Sequence, residues 1–400
     1  MLNLIDRYEY LENLKKFRDV DLIKVVTGVR RCGKSTLFDL YIEYLKSTGV
    51  EDNQIVAINL EEKENEHLLD EKALYDFLIS QILKEKTTYF FIDEVQMCEN
   101  FEKAIDSLYV KKNTDVYITG SNADMLSREL ATLLTGRYVE IKMLPLSFKE
   151  FKTAFPNLEK SELFNRYLNY GAFPILTKTE FDVQAYDQIL LGIYNTILVK
   201  DVTKRNGISD ITILEKITKF LAGNVGSFIS TSNVTKEVVK GGRPILQKTV
   251  DKYIKALCDS FLFYKVDRYN VKGKTVLKTN SKYYVVDTGL RNVLLSSENL
   301  DVGHQIENIV FLELLRRGYR VNIGKVDDLE IDFVATKLNT KEYYQVSTTV
   351  LDNDVLKREL TPLRKTKDEY QKFLITLDDF EGNHEGVKQI NLKNWLLGNN

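Results

Sequence analysis

Eight consecutive residues constrain this chain more than any other feature. Gly28-Val29-Arg30-Arg31-Cys32-Gly33-Lys34-Ser35 fits G-x-x-x-x-G-K-[ST] without a gap. An apolar run, Leu22–Thr27, precedes it, and a stretch of helical spacing, Ser35–Lys46, follows. Strand, glycine-rich loop and helix in that order form a cradle for phosphate. The glycines admit backbone geometry that a Cβ would obstruct, and successive N–H groups then face anionic oxygens at a helix N-terminus. Gly28, Val29, Arg30, Arg31, Cys32, Gly33, Lys34, Ser35 and Thr36 are therefore the expected nucleotide contacts. Lys34 reaches the β- and γ-phosphates, Ser35 ligates Mg²⁺, and Thr36 extends the polar lip. Cys32 reads as a small residue at a variable position. Arg30 and Arg31 meet phosphate, an acidic partner loop or solvent, and the sequence does not choose among the three.

A Mg²⁺ held by one hydroxyl needs an acidic partner. Tyr89-Phe90-Phe91-Ile92-Asp93-Glu94 supplies one, as an apolar strand ending in two carboxylates. Asp93 suits the Mg²⁺ shell, and Glu94 suits the polarisation of an attacking water. A third apolar run, Val116–Thr119, leads into Gly120-Ser121-Asn122, and Ser121 and Asn122 are both placed to contact the γ-phosphate or the water. Further strand candidates at Ile55–Leu60 and helical stretches at Glu71–Lys84 and Phe101–Lys111 complete the pattern. Near-continuous apolar strands between helices predict an α/β domain with a parallel sheet covered on both faces.

Composition bounds the rest. The chain has 400 residues, 44% of them hydrophobic, and a net charge of −2, which suits two or three packed domains and gives no global charge excess to recruit nucleic acid or a membrane. Three scattered cysteines argue against a disulfide framework, and three distant histidines against a His-rich metal site. No apolar run approaches the ~20 residues of a membrane span, and the first residues lack the apolar core of a signal peptide. The expectation is a cytoplasmic protein. The pattern divides it into an ATPase-type domain at 1–145, a mostly helical region at 146–220 broken at Tyr170-Gly171-Ala172-Phe173-Pro174, a region of short helices and strands at 221–300, and a final α/β region at 301–400.

One segment departs from neutrality. Residues 201–282 carry sixteen Lys and Arg against seven Asp and Glu. Helices at Thr231–Val239 and Gln247–Leu257, joined by Gly241–Pro244 and followed by two strand-like runs with Lys272, Lys274 and Lys278 at their tips, have winged-helix order. Gln247, Lys248 and Thr249 open the candidate recognition helix. Such a basic face fits DNA, or else an acidic protein surface.

GVRRCGKST (28–36), FFIDEVQ (90–96), ITGSNADML (118–126), LTGRYVEIKMLPLSFKEF (134–151), YGAFP (170–174), IENIVFLELLRRG (306–318) and EIDFVA (330–335) together resemble a bacterial and archaeal family of AAA-like ATPases in the ASCE division of P-loop NTPases. The resemblance implies ATP and Mg²⁺ as ligands, a P-loop domain, a winged-helix-like region and a C-terminal domain of unknown function. It also implies that an arginine near Arg137, with Arg128 a second choice, senses the γ-phosphate in cis or from a neighbouring subunit. Glu307 on a helix, Asp332 on a strand and Gln345-Val346-Ser347 on the next resemble a restriction-endonuclease-like core whose third strand should carry E-x-K. Glutamine and serine stand there instead, so efficient cleavage is not expected. The readings are an Mg²⁺-dependent ATPase that drives a conformational switch on a partner such as DNA, a nucleotide-gated signalling or scaffold protein with slow turnover, and an ATP-regulated nuclease. A homo-oligomer or a protein partner fits the first two.

Overall fold

The computed structural model describes residues 5–123, 136–179, 181–240, 244–295 and 301–398, and the side chains of 278 and 279 are excluded. The chain divides into two compact units, Met1–Met143 with Asp259–Phe261, and Leu144–Cys258 with Leu262–Asn400.

The first unit is built on β1 (Ile23–Thr27), β2 (Ile55–Asn59), β3 (Thr88–Asp93), β4 (Thr114–Gly120) and β5 (Tyr138–Lys142), with α1 (Tyr8–Lys16), α2 (Lys34–Ser47), α3 (Glu71–Ser80) and α4 (Phe101–Tyr109). The sheet order is β2-β3-β4-β1-β5 and every pairing is parallel. Every residue of β1 and of β3 is buried, which is why both read as predominantly apolar runs, interrupted in β1 by Lys24. β5 was not separated from its surroundings by the sequence, because Tyr138-Val139-Glu140 alternates and lies half exposed at the sheet edge. The core joins Ile23, Val25, Phe90, Ile92, Val116 and Ile118 to the inner faces of α3 and α4. At the N-terminal end of the sheet the buried Lys24 ammonium is paired with Asp115, which also accepts from Tyr117 Oη at 2.8 Å.

Parallel order places the C-terminal ends of β1, β3 and β4 side by side, with β4 inserted between the other two. The loop after β1 and the carboxylates after β3 therefore sit at the same edge, where α/β sheets hold their ligands.

The second unit begins with α5 (Phe148–Ala154), α6 (Lys160–Tyr170), α7 (Val183–Thr196) with a π-helical continuation at Ile197–Lys204, and α8 (Ile211–Gly223). Gly171, after α6, has φ +73°, and a Cβ there would lie 1.9 Å from Asp287 Oδ1. The Asp287 carboxylate accepts from Ala172 N at 2.7 Å and from Leu290 N at 3.1 Å. The break at Tyr170–Pro174 is thus a clasp around a buried acid. Next come α9 (Thr231–Val238), α10 (Gln247–Asp259), the antiparallel pair β6 (Phe263–Asn270) and β7 (Thr275–Val285), and α11 (Thr288–Leu295). Ile229 bridges Ser281 of β7 in antiparallel fashion, just before α9.

α12 (Val302–Arg316), β8 (Arg320–Val326), β9 (Leu329–Lys337), β10 (Thr340–Val346), α13 (Asn353–Lys365), β11 (Gln371–Thr376), β12 (Gly382–His384), β13 (Val387–Asn391) and α14 (Leu392–Leu397) complete the chain. β8, β9 and β10 form an antiparallel meander, and β10–β11 and β11–β13 are parallel. β6 pairs in parallel with β8, so the hairpin β6–β7 extends this layer to eight strands. No described helix is long and apolar enough to cross a membrane.

Candidate functional site

Thr27 ends β1, and the chain turns through Gly28 (φ 158°), Arg31 (φ 69°) and Gly33 (φ 102°) before α2 begins at Lys34. Gly28 is required by contact: a Cβ there would lie 2.1 Å from the backbone oxygen of Met143, whose N–H donates to Thr27 O at 2.6 Å. Arg31, with a side chain at positive φ, holds strained backbone of the kind that clusters at ligand clamps. Gly33 caps α2 without a side-chain acceptor, so the first N–H groups of that helix stay available to an anion.

Lys34 Nζ is buried, donates to Gly28 O at 3.1 Å, and lies 3.5 Å from Glu94 Oε1. Burial works against its charge, but Glu94 and then Cys32 and Asp93 outweigh that and raise its pKa. Ser35 Oγ donates to Asp93 Oδ2 at 2.5 Å, and Thr119 Oγ1, from β4, donates to Asp93 Oδ1. Burial raises the Asp93 pKa, partly offset by these two hydroxyls. The predicted pair for the metal, Ser35 and Asp93, is thus in direct contact, and the donor set of one hydroxyl and one carboxylate is the hard-oxygen chemistry that Mg²⁺ takes.

Glu94 follows β3 at φ 52°, an unusual conformation for a side-chain-bearing residue. Its N–H donates to Thr119 Oγ1 at 2.9 Å. Ser121 Oγ and the Gln96 amide both donate to Glu94 Oε2, the former at 3.2 Å. Burial pushes the carboxyl up, yet Lys34 and Arg30 outweigh burial and hold it below the usual range. Glu94 is therefore ionised at neutral pH.

The remaining predicted residues fall in different places. Asn122 is buried, one residue beyond Ser121 at the same end of β4. Val29 and Cys32 are buried, and burial raises the Cys32 thiol, so it is not a reactive thiolate. Arg30 makes a two-pronged ion pair with Glu61 at 3.0 and 2.9 Å, whereas Arg31 is exposed. Thr36 is half-buried in the first turn of α2. Arg137 is not brought to the loop. Its carbonyl accepts from Ile23 N at 2.8 Å, at the start of β1, and its guanidinium pairs with Asp106 at 2.5 Å. With ~3.3 Å per strand residue, that is the opposite end of the sheet from Gly28, and a γ-phosphate contact within the same chain is excluded. The cause is register: β5 runs parallel to β1 with Ile23 opposite Tyr138, which no motif discloses. Arg128 lies outside the described residues.

Sequence reasoning missed Arg7, Glu61, Gln96 and the role of Thr119. Arg7 Nη1 donates to Cys32 O at 2.7 Å, bracing the loop from the segment before α1. Gln96 was visible within DEVQ, but its aim toward Glu94 depends on the bend after β3.

The C-terminal acids also meet. Lys282 of β7 lies with its Nζ 2.9 Å from Glu307 Oε1 and 2.5 Å from Glu330 Oε1. Asp332 Oδ2 accepts from Val346 N at 2.8 Å, and Gln345 Nε2 donates to Glu359 at 2.9 Å. By position Lys282 belongs to the basic stretch 201–282, but it is 3% exposed and faces inward.

The sheet order, the loop and the paired acids define a P-loop ATPase fold of the AAA type. A family profile described as "AAA domain" matches residues 21–152, and one described as "Domain of unknown function (DUF8612)" matches residues 161–301. An "Uncharacterized protein" of Haemophilus influenzae is 41% identical over 406 residues, spanning 98% of this chain and 99% of that protein. The chain belongs to the family of that protein, an AAA domain followed by a domain of unknown function. The archaeal "Uncharacterized protein MJ1544" of Methanocaldococcus jannaschii is 29% identical over 97% of this chain and 90% of its own. Among solved structures, the Walker-type ATPase paby2304 of Pyrococcus abyssi is similar in fold, with a TM-score of 0.51 and 16% identity over 73% of this chain and 96% of that one.

Proposed function

We propose that this protein binds ATP with Mg²⁺ and hydrolyses it, and that turnover drives a conformational switch on a partner such as DNA. The observation that carries the reading is the joint placement of Ser35 against Asp93 at 2.5 Å and Lys34 against Glu94 at 3.5 Å, at one edge of one sheet. Ser35 and Asp93 would hold Mg²⁺, which supplies charge stabilisation across the phosphates. Lys34 leaves the loop carbonyls and Glu94 for the phosphate oxygens, a stronger anionic partner. That releases Glu94 Oε1 to accept a proton from the attacking water, while Gln96 and Ser121 keep the other oxygen in place. Binding and activation of the base are thereby linked through one ammonium.

The partner reading rests on element order. The α8, α9 and α10 helices, the Ile229–Ser281 bridge and the β6–β7 hairpin follow the winged-helix sequence of elements. Lys274 at the hairpin tip is exposed, whereas Lys272 is paired with Asp327. The Lys278 side chain lies outside those described. Three free cysteines among the described residues fit a reducing, cytoplasmic setting.

Phosphate release from Mg·ATP, with and without duplex DNA, tests the reading. Lys34→Ala should lose nucleotide binding. Glu94→Gln should retain binding and lose on the order of 10²–10⁴ in rate. Unchanged turnover in both variants would overturn it, and turnover indifferent to DNA would favour a nucleotide-gated scaffold.

A further inference from the structure

In restriction-endonuclease-like chemistry a helix acid and two strand acids hold a divalent metal, beside a lysine. Here the candidate acids come together, but around a cation that the chain already owns. Glu330 and Asp332 share a face of β9, and Glu307 reaches the same point from α12. Lys282 enters from β7 and contacts Glu307 at 2.9 Å and Glu330 at 2.5 Å. Tyr284, on the same face of β7, donates to the same Glu307 oxygen at 2.6 Å.

The rest of the surroundings is equally committed to protein partners. Asp332 accepts the Val346 N–H, and Gln345, where the third strand should offer an acid, spends its amide on Glu359. A Cβ on Gly226 (φ +75°) would lie 3.0 Å from Glu307 Oε2, so backbone covers the side of Glu307 away from the lysine. The Phe228 ring lies 5.6 Å from Lys282 Nζ. Among the described residues no group of three or more His, Cys, Asp or Glu side chains is arranged to hold a metal ion. The donor set does not fit a divalent cation.

We propose that the Lys282 ammonium is the resident cation of this centre, occupying the position that a nuclease of this architecture gives to its metal, and that it fastens the β6–β7 hairpin to α12 and β9. The C-terminal layer is then a metal-independent scaffold that carries the hairpin and does not cut nucleic acid. The charge state agrees. Burial opposes the ammonium, but Glu307, Asp332 and Glu330 outweigh it and raise its pKa. Burial and then Glu307 raise Asp332 well above the usual carboxylate range. An ammonium in contact with Glu307 and Glu330, beside an Asp332 already held by the Val346 N–H, needs no second cation.

This proposal does not depend on the ATPase reading, and its test removes the P-loop from consideration. In full-length protein carrying Ser35→Ala and Asp93→Asn, without nucleotide, Mn²⁺ binding is followed by electron paramagnetic resonance and by thermal melting. The parent should show no Mn²⁺-dependent shift. Adding Lys282→Met, which keeps the stem and removes the charge, should lower the melting temperature in EDTA. Mn²⁺ should then bind at least tenfold more tightly than in the parent and restore the melting temperature. Asp332→Asn on top should abolish that rescue. If Lys282→Met does not fold, Lys282→Met with Glu307→Gln removes one charge of each sign at similar volume and should fold as the parent does. A double variant that is also unfolded would overturn the counter-cation role. So would a folded Lys282→Met that fails to take Mn²⁺, or a parent that binds Mn²⁺ as tightly as the variant. A parent that nicks plasmid DNA with Mn²⁺, and stops when Lys282 is replaced, would make Lys282 a catalytic residue of a working nuclease and sink the proposal.

Discussion

The hydroxyl of Ser35 donates to Asp93 Oδ2 at 2.5 Å, so the first turn of α2 and the last residue of β3 share one hydrogen bond across the inserted strand β4. Thr119 closes the other side of the same carboxylate. Asp93 thereby presents its oxygens from a fixed position, with both neighbours able to rotate their protons away when a cation arrives.

Asp93→Asn keeps the shape of that group but removes its charge and one acceptor. Nucleotide affinity measured by calorimetry in the presence of Mg²⁺ should fall by about 10- to 100-fold, whereas affinity in EDTA should change little. Equal losses under the two conditions would show that Asp93 supports the loop and does not serve the metal.

Gln96 and Ser121 together hold Glu94 Oε2. Gln96→Ala should lower kcat for ATP hydrolysis by about tenfold with KM nearly unchanged. It should also move the acid limb of the pH–rate profile upward, because the Gln96 hydrogen bond is one of the influences holding the Glu94 pKa down. A fall in kcat without displacement of that limb would assign Gln96 a purely structural part.

Lys24 and Asp115 form an ion pair whose side chains are 0% and 2% exposed. Asp115→Ala strands a buried ammonium and should cost about 3–5 kcal/mol in the melting transition that responds to nucleotide. Replacing both with apolar residues of similar volume should recover most of it. Hydrolysis per folded molecule should be unaffected, since the pair lies at the sheet end opposite Gly28.

Asp287 gives a pH signature. Burial raises its pKa from 3.8 to about 6, against three backbone N–H donors that lower it. The folded state binds the proton more tightly, so this stabilisation is complete below pH 3.8 and is lost as pH rises through about 6. The contribution is about 3 kcal/mol. The melting temperature should decline across that window, and Asp287→Asn should flatten the decline while weakening the clasp by one N–H acceptor. Gly171→Ala, whose Cβ would lie 1.9 Å from the same carboxylate, should destabilise by about 2–4 kcal/mol at any pH.

What the sequence discloses of this molecule tracks how local the physics is. The loop from Gly28 to Ser35 and the carboxylates after Ile92 are legible because each is a contiguous word whose neighbours have fixed geometry. The strands β1, β3 and β4 are legible because burial on both faces leaves mostly apolar residues, with Lys24 and Asp115 tolerated only as a pair. The expectation that Arg137 reaches the γ-phosphate within the same chain fails because it depends on the register of β5 against β1, a pairing of residues more than a hundred positions apart. Lys282 misled for a related reason. Counted along the chain it belongs to a basic stretch, but strand alternation turns it inward onto acids from α12 and β9. Arg7 leaves no trace in the sequence because it acts through a hydrogen bond to Cys32 O, twenty-five positions on, and the aim of Gln96 at Glu94 depends on the bend after β3, which no periodicity discloses.

The hairpin of β6 and β7 is flanked on one side by β8 and on the other carries the residue that bridges to Ile229. A segment that is both sheet edge and neighbour of the preceding helices cannot be exchanged as a free cassette. Chimeras between relatives that swap specificity at this tip must transplant the whole span from α9 through β8, or they will leave an open edge exposed to aggregation.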